Sequence, residues 1–264
     1  MKEFLIQSGL PFKDGFIEIP SWCKRVKIDV GLSINAHHSQ LWLEKDPTTI
    51  IFGFEPNPFN ANKVRERSSN TPVMLDSPKY LNKNFFLLEC ALSDIKGGGV
   101  SEFFCTPDGG CSSLLEPKHF EVETVVQVAN WSLNDFLQYF PFHQISYIDY
   151  VKTDCQGADF GVIKGCSEYL EKIAVFTCEA DNWRYHNSKN SKRVITKYFE
   201  DRYFFKLKLF NRFIRFQSFT KYPLFNRYLD LHGFEDIYTE DPTFINHRFI
   251  DRLKSDGVSI FQKG

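Results

Sequence analysis

The chain has 264 residues, 42% hydrophobic and 25% charged, which is the balance of one globular domain able to bury a core of good size. Its 32 basic residues nearly cancel its 33 acidic ones for a net charge of −1, so no overall field points to nucleic acid. No run approaches the roughly 20 apolar residues needed to span a bilayer, and the N-terminal stretch, broken at Pro11 and Pro20, does not read as a signal peptide.

Seven scattered cysteines without a CxxC pair read as reduced thiols of a cytoplasmic protein, and no metal site is expected. The 28 Phe point to an aromatic core.

In chain order, residues 1–25 form a lead-in with a short strand at GFIEIP. A first strand follows at RVKIDVG, with Val26, Ile28 and Val30 β-branched and Gly31 ending it. SQLWLEKD looks helical and stops at Pro47. TIIFGFEP is a second strand, closed by Glu55 and Pro56. Asn57 and Pro58 stand as N-cap and first-turn residue of a helix. NFFLLECALSD reads as a third strand closed by Ser93 and Asp94, and the glycine-rich stretch after it as a hairpin excursion. VANWSLNDFLQYF reads as a helix with Ser132 or Asn134 as cap. ISYIDYVKTD is a fourth strand, ADFGVIKGCSEYLEKI a helix, AVFTCEAD a fifth strand and SKRVITKYFEDRYFFKL a helix. The tail GFEDIYTEDPTFINHRFI reads as strand, turn, strand. Strands that alternate with helices, each a near-continuous apolar run, predict an α/β fold: a doubly wound, mostly parallel sheet covered on both faces. No linker or repeat divides the chain, so one domain is expected over 1–264.

In such a sheet, ligands sit beyond the carboxyl ends of the strands. Polar residues collect there: Asp29, Glu55, Ser93 with Asp94, Asp154, and Glu179 with Asp181. An acidic residue just after the second strand suits a ribose diol, which assigns that role to Glu55. A pyrophosphate would need repeated glycines at the first turn. Only Gly31 is present, so a nicotinamide-dependent oxidoreductase fits poorly. Ser33 and Asn35 could hold an amino acid moiety instead. Ribose and amino acid on one ligand are S-adenosylmethionine.

The fragments IDVG, GFEPNP, ECALSD, SSL, IDYVKTDCQGADFGVIKG and FTCEAD occur in the order and spacing of a known family, and the chain from Lys27 to Asp181 resembles the FkbM-type methyltransferases. The resemblance implies a class I, Rossmann-like methyltransferase fold of about seven strands with an antiparallel C-terminal hairpin strand. It implies S-adenosylmethionine as cofactor and a hydroxyl acceptor on a sugar, glycan or secondary metabolite. Asp29 and Gly31 would line the methionine part and Glu55 would bind the ribose. Pro56 and Asn57 would shape the adenine side, with Ala91, Leu92 and Ser93 packing against it. Asp154 and Gln156 would face both cofactor and acceptor. The family pattern at the first turn resembles DVGANxGxxS. Here it is DVGLSINAHHS, one residue longer and without the second glycine. A non-catalytic binding protein with a degenerate fold is the alternative that this change raises.

A hydroxyl acceptor benefits from a general base. The expected candidates are Asp154, then His37 and His38, with Glu179 and Asp181 facing the acceptor. Lys152 shares a strand face with Asp154 and reads as its ion-pair partner. From Arg202 to Leu229 no acidic residue occurs, while Arg and Lys alternate with Phe and Tyr. Residues 183–230 therefore read as a basic, aromatic helical insertion. A core-packing helix pair or a lid over the acceptor fits it, and so does a surface for nucleic acid or an anionic membrane face.

Overall fold

A computed structural model describes residues 1–68, 73–180, 183–202, 204–207, 241–246 and 248–249. The lead-in holds helix α1 (Lys2–Gln7) and a small hairpin, β1 (Phe12–Lys13) with β2 (Phe16–Ile17). Then come β3 (Arg25–Val30), α2 (His37–Lys45), β4 (Thr49–Phe54), α3 (Pro58–Glu66), α4 (Ser77–Tyr80) and β5 (Phe85–Leu88). An excursion follows, made of β6 (Ala91–Leu92), β7 (Gly99–Cys105) and β8 (Thr124–Trp131). The chain returns through α5 (Leu133–Leu137), β9 (Ile148–Thr153), α6 (Asp159–Gly165), β10 (Ile173–Cys178), α7 (Lys192–Glu200), β11 (Phe204–Leu207) and β12 (Thr243–Asn246).

Seven strands form one sheet in the order β11-β12-β10-β9-β3-β4-β5. β3 lies parallel to both β4 and β9, β4 to β5 and β9 to β10, whereas β12 runs antiparallel to β10 and β11. The chain order therefore reverses at β3. Strands β4 and β5 grow to one side and β9 and β10 to the other, which opens a crevice above the carboxyl ends of β3 and β9.

Both faces are covered because each central strand is apolar to both sides. Along β4, Ile50, Phe52 and Phe54 enter one core layer while Ile51 enters the other, the two-residue period of a strand. The first layer accounts for much of the phenylalanine. Phe52 meets Phe136 edge-on at 5.0 Å between centroids, and Phe199 stacks on Phe244 at 4.2 Å. Trp42 of α2 closes the second layer, edge-on to Tyr150 at 5.2 Å.

Four expected elements differ, one of them the helix read over 158–173, which ends at Gly165 and is followed only by a 3-10 turn at Leu170–Lys172. The third strand ends at Leu88, and Ala91–Leu92 leaves the main sheet to pair with β8. The stretch read as one helix from Val128 is strand as far as Trp131, and the helix starts only after the Ser132 cap. The capping box between Ser132 and Asp135 fixes that boundary. The helix read over 191–207 stops at Glu200, and Phe204–Leu207 is the edge strand β11 beside β12. Most of the basic aromatic stretch of 202–229 lies outside the described residues, as does the first part of the tail. Among the described residues no helix is long and apolar enough to cross a membrane. All seven cysteines are free thiols.

Candidate functional site

A cleft of about 560 Å³, counted to its open mouth, lies above the carboxyl ends of β3, β4 and β9. The first turn forms its floor. Gly31 adopts φ +82, and a Cβ there would run into the carbonyl oxygen of Asp154. Only glycine lets the ends of β3 and β9 close so tightly, with Asp154 N donating to Val30 O at 2.9 Å. Ser33 is also left-handed, at φ 56, which turns its amide toward Glu55.

Glu55 follows β4 directly and is almost completely buried. Its Oε2 accepts from Ser33 N and its Oε1 from Asn57 N, both at 2.9 Å. Burial pushes its carboxyl up to about 7, although the Asn57 and Ser33 amides pull the other way. The carboxylate is thus fixed in place at the cleft with room for further donors on each oxygen. Asn57 stands behind it rather than in the cleft. Its side chain caps α3 by accepting from Phe59 N and donates to Ser112 Oγ at 3.3 Å.

The excursion supplies an apolar wall. Ala91 and Leu92 of β6 and Phe103 of β7 line the cleft together with Leu114. The Gly109-Gly110 turn lies beside Asn60, whose Nδ2 donates to Gly109 O at 3.1 Å. Ser93 is turned away from this wall and donates to Asn130 Oδ1.

The far side holds the charges. Lys152, buried on β9, lies 3.6 Å from both Asp29 Oδ1 and Asp154 Oδ2. Burial alone would lower its ammonium, and the two carboxylates more than offset that. Asp29 is buried beneath the turn and accepts from Ser39 Oγ at 2.7 Å. Asp154 is partly exposed and accepts from Gln156 Nε2 at 2.7 Å. Glu179, past the end of β10, has one oxygen 4.0 Å from Arg184 Nη1, and the other is buried without a hydrogen-bond donor. Burial, then the nearby Asp154, Asp159 and Asp241, push Glu179 up to about 8.

Of the residues expected from sequence, Gly31, Ser33, Glu55, Pro56, Ala91, Leu92, Asp154 and Gln156 line the cleft. Asp29 supports it from below. Asn35 does not reach it, and its carbonyl accepts from Leu75 N. His37 and His38 begin α2, where their rings meet each other at 5.5 Å and His38 faces Trp42. Neither lines the cleft. Asp181 lies outside the described residues. Sequence reasoning missed Asn60, Phe103, Ser112, Leu114 and the 109–110 glycines. The PDGG turn between two strand-like runs was the available signal for the two glycines, and the SSL fragment already contained Ser112 and Leu114.

A family model described as "Methyltransferase FkbM domain" matches residues 29–211, more than half of the chain. The chain belongs to the FkbM methyltransferase family. No curated protein and no solved structure matches it. Ala36 sits left-handed at φ 47 just before α2. That is the conformation a second glycine would adopt without strain. Ser39, three residues on, donates to Asp29 Oδ2.

Proposed function

We propose that the cleft binds S-adenosylmethionine and that the protein methylates a hydroxyl oxygen of a sugar, glycan or secondary metabolite. The buried Glu55 carboxylate, held open at the second strand end, is the observation that carries this reading. The chain's own residues fit the cofactor in three places. Glu55 would accept from the ribose hydroxyls. The wall of Ala91, Leu92, Phe103 and Leu114 suits a flat adenine. Ser33 and the Asp29–Lys152–Asp154 group flank the place of the amino acid moiety. The turn after β3 keeps its close approach despite the lost glycine, which supports binding over a degenerate fold.

When bound, the cofactor supplies an electrophilic methyl group for in-line displacement. The protein must then orient the acceptor and take its proton. Asp154 is poorly placed as the base, because Lys152 and Gln156 already engage its oxygens. Glu179 is the next carboxyl along the strand ends, with a proton affinity raised toward the working range, and its buried, unpartnered oxygen would have to be uncovered for it to take the proton. Asp154 and Lys152 then act as positioning residues beside it. The seven free thiols suit a reducing, cytoplasmic setting.

Thermal unfolding with S-adenosylhomocysteine and with NAD tests the ligand class. Near a hundredfold excess over Kd, the first is expected to raise Tm by about 5–10 °C. A shift with NAD and none with S-adenosylhomocysteine would refute the proposal.

A further inference from the structure

Gln156 follows β9 in a strained turn. Its φ is 51, a left-handed conformation uncommon in a residue with a side chain, and Gly157 continues it at φ 88. Two segments distant in sequence hold that turn. Ser113 Oγ, from the loop between β7 and β8, donates to Gln156 O at 2.8 Å. The buried Tyr185 fills the space where a side chain at Gly157 would stand. Tyr185 is itself fixed by the backbone, because residues 184–186 run antiparallel to residues 116–118. Lys118 N donates to Arg184 O and His186 N to Glu116 O, each at 2.8 Å, and Pro117 bridges to Tyr185.

The turn aims the Gln156 side chain into a chain of hydrogen bonds. Its Nε2 donates to Asp154 Oδ1 at 2.7 Å, and the Tyr185 hydroxyl donates to its Oε1 at 2.9 Å. The order of donors is forced. A carboxylate only accepts, so the amide must present its nitrogen to Asp154, and the oxygen left over needs a donor. Tyr185 is that donor, and Cys111 O also lies 2.9 Å from its hydroxyl. Beyond Asp154 the chain continues to Lys152 and Asp29, at 3.6 Å each. Asp29, Lys152 and Asp154 together carry one negative charge in excess. Asp29 is buried, whereas the Asp154 side chain is 39% exposed and lines the cleft. Of the two carboxylates, a ligand reaches Asp154.

We propose that Tyr185 is a positioning residue that, through the Gln156 amide, keeps Asp154 aimed to accept from a ligand's ammonium group, the charged end of an amino acid moiety. The ligand rests on the S-adenosylmethionine reading of the cleft. An ammonium fits for two reasons. It cancels the excess negative charge, and it supplies only donors, which the remaining lone pairs of the carboxylate require. A hydroxyl would meet the second demand and not the first. Without the Tyr185 hydroxyl, the Gln156 side chain loses one of its two anchors and Asp154 its fixed orientation.

Calorimetric titration tests this with S-adenosylhomocysteine and with methylthioadenosine, which keeps adenine, ribose and sulfur but lacks the amino acid end. Wild-type protein should bind the first more tightly. Tyr185→Phe should lose about three- to tenfold in affinity for S-adenosylhomocysteine and nothing for methylthioadenosine. Gln156→Met should show the same selective loss, and Tyr185→Phe added to it should bring no further one. Unchanged methylthioadenosine binding also shows that a variant is folded, and Gln156→Met carries the test should Tyr185→Phe not fold. The positioning role is overturned if either single variant leaves S-adenosylhomocysteine binding unchanged or weakens both ligands alike. It is overturned too if Tyr185→Phe still weakens binding in the Gln156→Met background, or if wild-type protein binds both ligands equally. In each of these cases the S-adenosylmethionine reading stands. Protein that binds neither ligand refutes that reading and the positioning role with it.

Discussion

Glu55 carries two demands at once. Its oxygens hold the Ser33 and Asn57 amides, which shapes both turns, and they face the cleft as acceptors. Burial raises its carboxyl to about 7, so near neutral pH the free protein holds it half protonated. Ribose hydroxyls donate only to an oxygen that is not carrying the proton, so binding favours the ionised form. Affinity for S-adenosylhomocysteine should therefore rise about tenfold between pH 6 and pH 8 and then level off. Glu55→Gln should flatten that profile and weaken binding by about 1–3 kcal/mol. Calorimetric titration at both pH values measures each effect, and an unchanged affinity in the variant would remove Glu55 from the site. Its place in the cleft was legible in sequence, since it is the acidic residue that closes the second apolar strand of an α/β unit. Its coupling to Ser33 was not, because that depends on a left-handed backbone at a non-glycine position.

At the scale of elements, the turn from β4 into α3 joins the Glu55 side of the cleft to the excursion. Asn57 caps the helix and reaches Ser112 in the loop after β7. Asn57→Ala should cost about 1 kcal/mol through the cap, with a further loss through Ser112. Tm should drop by about 2–4 °C per kcal/mol, read by differential scanning calorimetry. The cap was legible as Asn followed by Pro before a helical period. Strands β3, β4, β9 and β10 were legible too, as apolar runs ending in polar residues. β8 was not, because its first half is largely exposed and its second half merges with a true cap at Ser132. β6 was hidden in the same way, since Glu89 and Cys90 separate two apolar pieces that pair with different sheets. The wall built by that excursion carries no sequence signal of facing a cleft. Only the fold brings Phe103 and Leu114 opposite Glu55.

For the whole molecule, the doubly wound sheet gathers carboxyl groups above one edge and buries them. Burial is the leading cause that lifts Glu55 to about 7, Asp159 to about 6, Glu179 to about 8 and Asp241 to about 6. Their ordinary values are 4.5 for Glu and 3.8 for Asp. A carboxyl whose proton is held more tightly in the folded state stabilises fully below its unfolded value. It loses that contribution as pH rises through the folded one. Stability should therefore decline from about pH 5 to pH 8. Urea midpoints at pH 5.5 and 8.5 measure it, and Glu179→Gln should lessen the decline. A midpoint that rises with pH would contradict the burial of these groups.

The topology places all of this at the reversal point beside β3, and that placement gives the proposed cofactor its position. A crystal structure with S-adenosylhomocysteine tests it. The ribose hydroxyls should lie within hydrogen-bond distance of Glu55, the adenine between Leu92 and Phe103, and the sulfur toward Asp154 and Glu179. A ligand seated elsewhere, or a ribose that leaves Glu55 untouched, would contradict the assignment.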